Sequence, residues 1–475
     1  MPPPNIEHLV VLMLENRSFD HMLGYLYPAS GTFDGVKGKE QDYYNYTDPL
    51  DPNSSKIYVN PNATSRDLNK DSGHDFADVH EQLFGVPLGG GGTPQPPYNG
   101  GFVRNYERKN KGNGTRIMNL FNPSSLPILN SLAEEFAVCD HWFSSTPGPT
   151  WPNRLFVHTG ASDGRVDNKY RPYDDQTIYN LLTERHGAGS WSFFLAGWIT
   201  QAMALTRLYS FKKWAFRSLG SFEHMAANGT LPKYSFIEPR FYRFEGLKPP
   251  NDQHPPHDVH RGEDLIADVY KMVRTSPKWN ETLLIITYDE HGGTYDHAHP
   301  PKATPPGKDS KQPPFQFDRY GVRVPAVVIS PYIERGTILN DVFDHTSVIA
   351  TVCSLFKIDG YLTPRDRDAT PVDQVVFHRN TPRADAPVDI RDLVTAEEKV
   401  AVLESLAITE PRPSDPTPGL SEYQEQLLIL SREIAGRPER MLESVAAEMQ
   451  IPPWMPEDAA AREVEENVRA FLAQE

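Results

Sequence analysis

Cysteine is nearly missing from this chain: its 475 residues include two, Cys139 and Cys353. Two cysteines cannot build a disulfide framework, and both sit in apolar stretches, so both are expected as buried free thiols. Long hydrophobic runs are missing too. The first apolar run, Leu9 to Leu14, is six residues long, has no Lys or Arg before it and ends in Glu15. That is too short for a membrane span and lacks the basic flank of a secretory leader, so a cytoplasmic location is expected. Positive charge is in deficit, with 47 Lys plus Arg against 63 Asp plus Glu and a net charge of −16. Nucleic-acid binding rests on cationic contacts to phosphates, so no nucleic-acid partner is expected.

Proline is abundant. The 44 prolines are nearly twice the usual ~5%, which excludes a helical bundle or coiled coil and favours a loop-rich fold. Continuous apolar runs at Leu9–Leu14, Thr282–Tyr288 and Val324–Ile329, with weaker ones at Ser192–Leu195 and Tyr234–Ile237, read as buried strands. Helical periodicity falls between them. Leu265, Ile266, Val269, Tyr270 and Val273 share one face after an acidic start at Glu263-Asp264, and Val348, Ile349, Val352, Leu355 and Phe356 share another. The alternation predicts an α/β fold, a mostly parallel central sheet with helices on both faces. A polar excursion rich in Gly, Pro and Asn, expected to be partly mobile, interrupts it at about 30–115. The catalytic unit is expected over 1–384. Residues 385–475, richer in Ala, Glu and Leu, predict a helical extension that docks on the main unit or on a second subunit and takes no part in chemistry. Oligomeric state is left open.

Chemistry-bearing residues gather where strands end. Glu15-Asn16 closes the first strand and Asp289-Glu290 closes the strongest one, the edge at which open α/β sheets place their ligands. Adjacent carboxylates repel unless a cation or proton lies between them, so these four residues offer hard oxygen donors for a divalent ion. Pro147-Gly148-Pro149 delivers Thr150 ahead of a helix predicted over Asn153–Thr159, where a hydroxyl meets free N–H groups and the positive dipole end; a plain N-cap role is the alternative. His74 and His254 lie in polar loops and could hold a phosphate or move a proton. Trp142 and Trp151 could line a substrate wall or stack on a cation, or could be core aromatics.

Four ordered motifs carry a resemblance: Glu15-Asn16-Arg17-Ser18-Phe19-Asp20-His21, Pro147-Gly148-Pro149-Thr150-x-Pro-Asn153-Arg154, Asn251-Asp252-x-His254-Pro255 and Asp289-Glu290-His291-Gly292-Gly293-x-Tyr295-Asp296-His297. Over roughly residues 5–375 the chain resembles the phosphoesterase family of non-specific phospholipases C and related acid phosphatases, within the alkaline-phosphatase-like superfamily. The resemblance implies one divalent metal ion (Ca, Mg, Mn or Zn) on Glu15, Asn16, Asp289 and Glu290, with Thr150 as a nucleophile that also touches the metal. It places His74 and His254 around the transferred phosphoryl group. The implied activity is a phospholipase C that cleaves phosphatidylcholine-type lipids to diacylglycerol and phosphocholine through a phosphothreonine, with transient contact to a membrane surface. An acid phosphatase on the same site and a non-catalytic lipid- or partner-binding protein are the alternatives.

Overall fold

The computed structural model describes residues 4–65, 67–90, 99–243, 249–311, 315–409, 420–436 and 457–473. Among the described residues ten strands are formed: β1 (His8–Leu14), β2 (Tyr44–Tyr46), β3 (Lys56–Tyr58), β4 (Ala137–Cys139), β5 (Trp191–Leu195), β6 (Phe216–Ser218), β7 (Tyr234–Glu238), β8 (Thr282–Tyr288), β9 (Ala326–Ile329) and β10 (Thr337–Leu339). Eight of them make one sheet in the order β10-β4-β9-β8-β1-β7-β5-β6. β1 lies between β7 and β8, parallel to both, with Val11 opposite Phe236 and Ile285. Every residue of β1 and β8 is buried. Covering on both faces explains why their sequences are continuously apolar rather than alternating.

One strand departs from the parallel expectation. β9 runs antiparallel to both β8 and β4. The described chain between β8 and β9 contains no helix. A parallel return needs a crossover of a dozen or more residues, usually helical; here the Pro-rich loop stays at the C-terminal edge of β8 and sends the chain straight back.

The long helix beside this edge starts at Val259, four residues before the acidic pair that was expected to open it. Asp258 caps it, its carboxylate accepting from the His260 N–H at 2.9 Å. Glu263 is instead buried and accepts from the N–H groups of Ile128 and Leu129, both at 2.8 Å, at the start of the Pro127–Glu135 helix. The described part of the 30–115 excursion contains secondary structure that its composition does not suggest. The β2–β3 hairpin and the helices Phe76–Phe84 and Phe102–Lys109 surround a small core that includes Val79, Leu83, Phe102, Val103 and Tyr106.

A buried ionic clasp ties this excursion to the sheet. Arg323 donates to Asp296 Oδ1 at 2.9 Å, Asp20 Oδ1 at 3.0 Å and the Asp34 carbonyl at 2.9 Å. Asp20 Oδ2 accepts from the His297 backbone N–H at 2.7 Å and from its ring at 2.6 Å. Both Asp20 and Asp296 are buried. Removing one partner of a buried charge set leaves the others uncompensated, at a cost of about 3–5 kcal/mol. Arg323→Met should therefore lower the unfolding midpoint markedly in denaturant or thermal titration. A midpoint equal to wild type would show that the clasp adds nothing to stability.

Candidate active site

The site is assembled from the C-terminal ends of neighbouring strands. Glu15 and Asn16 follow β1, Asp289 and Glu290 follow β8, and Glu238 ends β7. The chain turns sharply at Asn16, which has a left-handed φ of 59°. Gly292 approaches it so closely that a Cβ there would lie 2.2 Å from the Asn16 carbonyl oxygen. The Gly-Gly pair after Glu290 is thus required by close approach of two backbones, not by flexibility.

A buried guanidinium organises the acids. Arg154 donates from Nε to Asp289 Oδ2 at 3.0 Å and from Nη1 to Glu238 Oε2 at 2.5 Å, and its Nη2 lies 3.2 Å from Glu15 Oε1. All four side chains are buried. Asp289 Oδ1 accepts from the backbone N–H groups of Asn16 at 3.2 Å and Glu290 at 2.7 Å. Neither Glu15 oxygen has a hydrogen-bond partner among the described residues. Burial, with Asp289 nearby, pushes the Glu15 carboxyl well above the usual range against the pull of Arg154. Burial likewise raises Asp289. Glu290 is held below the ordinary value despite burial, because His74 and His291 face it. Sequence reading gave Arg154 no role. Its spacing, one helical turn after Thr150, was the available signal.

Thr150 is the first residue of the Thr150–Thr159 helix, and the N-cap position belongs to Pro149. Its hydroxyl therefore does not cap; it lies 3.4 Å from Asn16 Oδ1. Asn153 fixes the preceding turn. Its Nδ2 donates to the carbonyls of Thr146, Gly148 and Pro149 at 3.2, 2.9 and 3.1 Å, and its Oδ1 accepts from the Thr146 N–H at 3.0 Å. The Pro-Gly-Pro segment is thereby locked, and the hydroxyl it delivers is held at a helix start.

Two imidazoles stand on the other side. His74 Nδ1 is 2.6 Å from Glu290 Oε1 and 3.2 Å from Asn16 Nδ2. Its pKa is raised: burial opposes charge, but Glu290 and Asp71 more than offset it. His254 places Nδ1 2.5 Å from the Pro255 carbonyl, and burial lowers its pKa. The two rings are 5.9 Å apart. The His254 loop is anchored by Arg17 Nε donating to the Gln253 carbonyl at 2.8 Å and by the Tyr288 hydroxyl on Gln253 Oε1. Contacts thus link Thr150, Asn16, His74 and Glu290 into one buried cluster, with the His254 ring beside His74 and with Glu15 and Asp289 joined through Arg154 and the Asn16 backbone.

Trp142 and Trp151 do not line it. Both are fully buried. Trp142 stacks on Phe343 at 5.5 Å, and Trp151 lies among Tyr170, Tyr173 and Tyr423. They are core aromatics, and the expected substrate wall is corrected accordingly. The described opening beside the site is a cavity of about 330 Å³ lined by Asp71, His257, Arg243, Arg261, Ser421 and Glu457, among others. Asp71 is the link to the interior, with Oδ2 3.5 Å from His74 Nε2.

Ser421 and Glu457 come from the C-terminal extension, which reaches further into the site than its composition suggests. Its helices are Ala396–Thr409, Glu422–Gly436 and Glu457–Ala473. Tyr423 is buried, 5.1 Å from the Phe241 ring centre, with the Arg154 guanidinium 5.8 Å from its own. The helix is held by Gln424 Nε2 on the Phe241 carbonyl at 2.6 Å and by Gln426 Oε1, which accepts from the Tyr170 N–H at 2.8 Å.

A hydroxyl fixed at a helix start, facing buried oxygens in excess of the cations that neutralise them, is suited to phosphoryl transfer, and the protein is a phosphoric ester hydrolase. The chain belongs to the Phosphoesterase family, whose profile matches residues 6–359. It is 38% identical over 416 residues to non-specific phospholipase C3 of Arabidopsis thaliana, covering 83% of this chain and 77% of that one. Identity to non-specific phospholipase C5 of the same plant is 38% over 456 residues, covering 91% and 83%. Phospholipase C B of Mycobacterium tuberculosis (strain ATCC 25618 / H37Rv) is 28% identical over 416 residues, covering 77% and 76%. Among solved structures, a protein of the alkaline phosphatase superfamily from Vibrio parahaemolyticus overlaps 51% of this chain and 63% of its own, at 14% identity and a TM-score of 0.34.

Tyr423→Ala removes the aromatic face that holds Arg154 against the acids. Turnover by the folded variant should drop at least about tenfold, the order lost when a group that positions catalytic residues is removed. Tyr423→Phe, which keeps the face, should lose far less. Equal turnover in Tyr423→Ala and wild type, with matching circular dichroism, would return the extension to a purely external role.

Proposed function

We propose that the protein is a phospholipase C that hydrolyses the glycerol-side ester bond of a phospholipid, releasing diacylglycerol and a phosphorylated headgroup such as phosphocholine, with Thr150 as nucleophile. The observation that carries this reading is the Thr150 hydroxyl, turned from its own helix toward Asn16 and enclosed with Glu290 and His74. The names of the plant and mycobacterial relatives support the choice of a phospholipid diester.

Glu15 offers a cation two buried carboxylate oxygens without hydrogen bonds, and among the described residues Arg154 is the ion-pair partner of Glu15, Glu238 and Asp289, but both oxygens of Asp289 and of Glu290 are engaged and the three carboxylates do not converge on one centre, so an ion would have to draw them together. A divalent ion on Glu15, Asn16, Asp289, Glu290 and the Thr150 hydroxyl would stabilise the alkoxide and the charge growing on the phosphoryl oxygens. All-oxygen donors suit Mg²⁺, Ca²⁺ or Mn²⁺ best. Arg154 holds the Asp289 and Glu15 carboxylates in place. Asn153 keeps the nucleophile at the helix start, whose dipole favours an anion.

Attack by Thr150 Oγ1 on phosphorus breaks the bond to the glycerol oxygen and leaves a phosphodiester on Thr150. The departing alkoxide forms on the His74–His254 side, where an imidazole can deliver a proton. Water then cleaves the Thr150 ester in a second in-line step, and the imidazole takes back a proton. Thr150, His74 and His254 are all buried, so substrate would enter past Asp71, which lines the described cavity and lies 3.5 Å from His74 Nε2.

Thr150→Ala should reduce turnover of phosphatidylcholine by several orders of magnitude, as loss of a nucleophile does. Thr150→Ser should keep measurable activity because the hydroxyl survives. Acid-quenched wild-type enzyme should carry a phosphocholine adduct on the Thr150 peptide by mass spectrometry. Turnover of a diester chiral at phosphorus should proceed with retention; inversion would refute the two-step route. Hydrolysis of p-nitrophenyl phosphate with no turnover of phosphatidylcholine vesicles would instead assign a phosphomonoesterase.

A further inference from the structure

Three described cavities lie along one edge of the sheet and share walls. The cavity of about 330 Å³ beside Asp71 shares Arg261 with a second of about 210 Å³, and the second shares Ala196 and Leu219 with a third of about 270 Å³. They lie at the same edge because β1, β7, β5 and β6 run parallel, so their C-terminal ends point one way. The third cavity sits where β5 and β6 end, two and three strands from β1 in the sheet order. At ~4.8 Å per strand that is about 10–14 Å to one side of the acids. The three spaces form one groove, which begins where Asp71 Oδ2 lies 3.5 Å from His74 Nε2 and ends at the rim of the sheet.

The walls change character along this groove. The third cavity is bounded by Leu195, Trp198, Phe216, Leu219 and Leu472, which come from the exits of β5 and β6 and from the Glu457–Ala473 helix. Arg217 also lines it, but its Nε is held by the Trp214 carbonyl at 2.9 Å. Arg469 closes one face of Trp198, its guanidinium 4.2 Å from the ring centre. An ordered water needs two to four polar partners, so a space bounded in this way takes an apolar guest. In the middle cavity the charges are tied within the protein. Arg240 Nε and Nη2 donate to the Pro249 carbonyl at 3.0 and 2.7 Å, and Asp268 accepts from Arg391 at 2.6 Å. Outward from His74 the order is thus a phosphoryl site, a polar middle and an apolar end. Phosphorus, glycerol esters and hydrocarbon follow one another in the same order in a glycerophospholipid.

We propose that the cavity formed by Leu195, Trp198, Phe216, Leu219 and Leu472 binds one acyl chain of the phospholipid and so sets selectivity for chain length. Thr150, His74 and His254 are buried, so a phospholipid whose phosphorus reaches them must leave its bilayer and expose hydrocarbon to water. Each methylene covered again strengthens binding about fourfold, the equivalent of ~0.8 kcal/mol. The C-terminal extension serves both ends of the groove, with Ser421 and Glu457 at Asp71 and Leu472 at the rim. The role in turnover rests on the phosphodiester reading, in which the glycerol departs on the His74–His254 side and so toward the groove. The binding of hydrocarbon stands on the apolar walls alone.

Gly220 supplies the blocking variant. It lines the cavity as the second residue of the Leu219–Ala227 helix, and a Cβ there would meet nothing nearer than Ser218 Oγ at 3.8 Å. Gly220→Phe fills the space, and Leu472→Asp makes its wall polar. The full-length protein is titrated with lysophosphatidylcholine carrying a brominated palmitoyl chain, below its micelle concentration, while tryptophan fluorescence is followed. Wild type should be quenched, and Trp198→Phe should lose that quenching. Gly220→Phe and Leu472→Asp should bind the probe at least about tenfold more weakly. Presented as monomers, dioctanoyl phosphatidylcholine should exceed the dibutyroyl lipid at least about tenfold in kcat/KM, chiefly through KM. Both variants should erase that preference and leave dibutyroyl turnover unchanged. No quenching that depends on Trp198, equal kcat/KM for the two lipids in wild type, or a preference retained in both folded variants would overturn the proposal. So would a dimer, seen by light scattering, that Gly220→Phe dissociates while Trp198 stays unquenched, because a second copy then fills the cavity. If the probe quenches Trp198 but p-nitrophenyl phosphate is hydrolysed and phosphatidylcholine is not, the chain site stands and the phospholipase reading falls.

Discussion

The guanidinium of Arg154 ties together the acids at the ends of β1, β7 and β8, and the site depends on that one buried group. Glu15, Glu238 and Asp289 lie on three adjacent parallel strands whose C-terminal ends point the same way. Parallel pairing converges their carboxylates by construction. Without an internal cation, burying three such groups together would be prohibitive. Arg154 reaches them because it sits one turn into the helix that begins with Thr150. The group that makes the acid cluster tolerable and the Thr150 hydroxyl are therefore set by one rigid element.

This neutralisation is incomplete, and the deficit has chemical meaning. Four carboxylates, counting Glu290, meet one permanent cation. Each remaining negative charge must be met by a proton or a metal ion, and the directions of the pKa shifts divide the acids accordingly. Glu15 and Asp289 are raised by burial, whereas Glu290 is lowered by His74 and His291. Of the raised acids, Asp289 accepts from the Asn16 backbone N–H, and the Asn16 side chain in turn meets the Thr150 hydroxyl. The one facing imidazoles leads toward Asp71 and the cavity. Under the proposed reaction, a site polarised in this way would separate the stabilisation of an entering nucleophile from that of a departing oxygen, as in-line displacement at phosphorus demands.

Much of this was legible in the sequence, for physical reasons. β1 and β8 are covered on both faces, so they read as uninterrupted apolar runs, and the acids after them stand out by contrast. Thr150 was legible because Pro-Gly-Pro ahead of an amphipathic run is a strong helix-start signal. Arg154 was not, because an arginine inside a helix ordinarily reads as a solvated face; its burial follows only from strands far away in sequence. The direction of β9 was hidden because a strand's own residues do not encode its sense; the helix-free loop before it does. The helices described in the 30–115 excursion were hidden because its core is small and they are short, so polar composition dominated the reading. Trp142 and Trp151 stayed open between a substrate wall and core packing for the opposite reason. Aromatics next to a catalytic motif are as often the packing that stiffens it, and here both rings are enclosed.

Composition changes near residue 385, but packing does not end there. Leu427, Leu428, Leu430 and Ile434 of the extension belong to the same core cluster as β1 and β8, as do Val464, Val468 and Phe471. Phe241, three residues beyond Glu238, packs on Tyr423 from one side while Arg154 lies over both rings. The contact is apolar and cationic at once: aromatic faces attract a guanidinium and exclude the water that would screen its ion pairs. A helix from the extension thus strengthens the interaction on which the acids depend, without supplying a ligand of its own. The boundary visible in the composition marks a change in how the chain is built, whereas the functional unit extends across it to Tyr423.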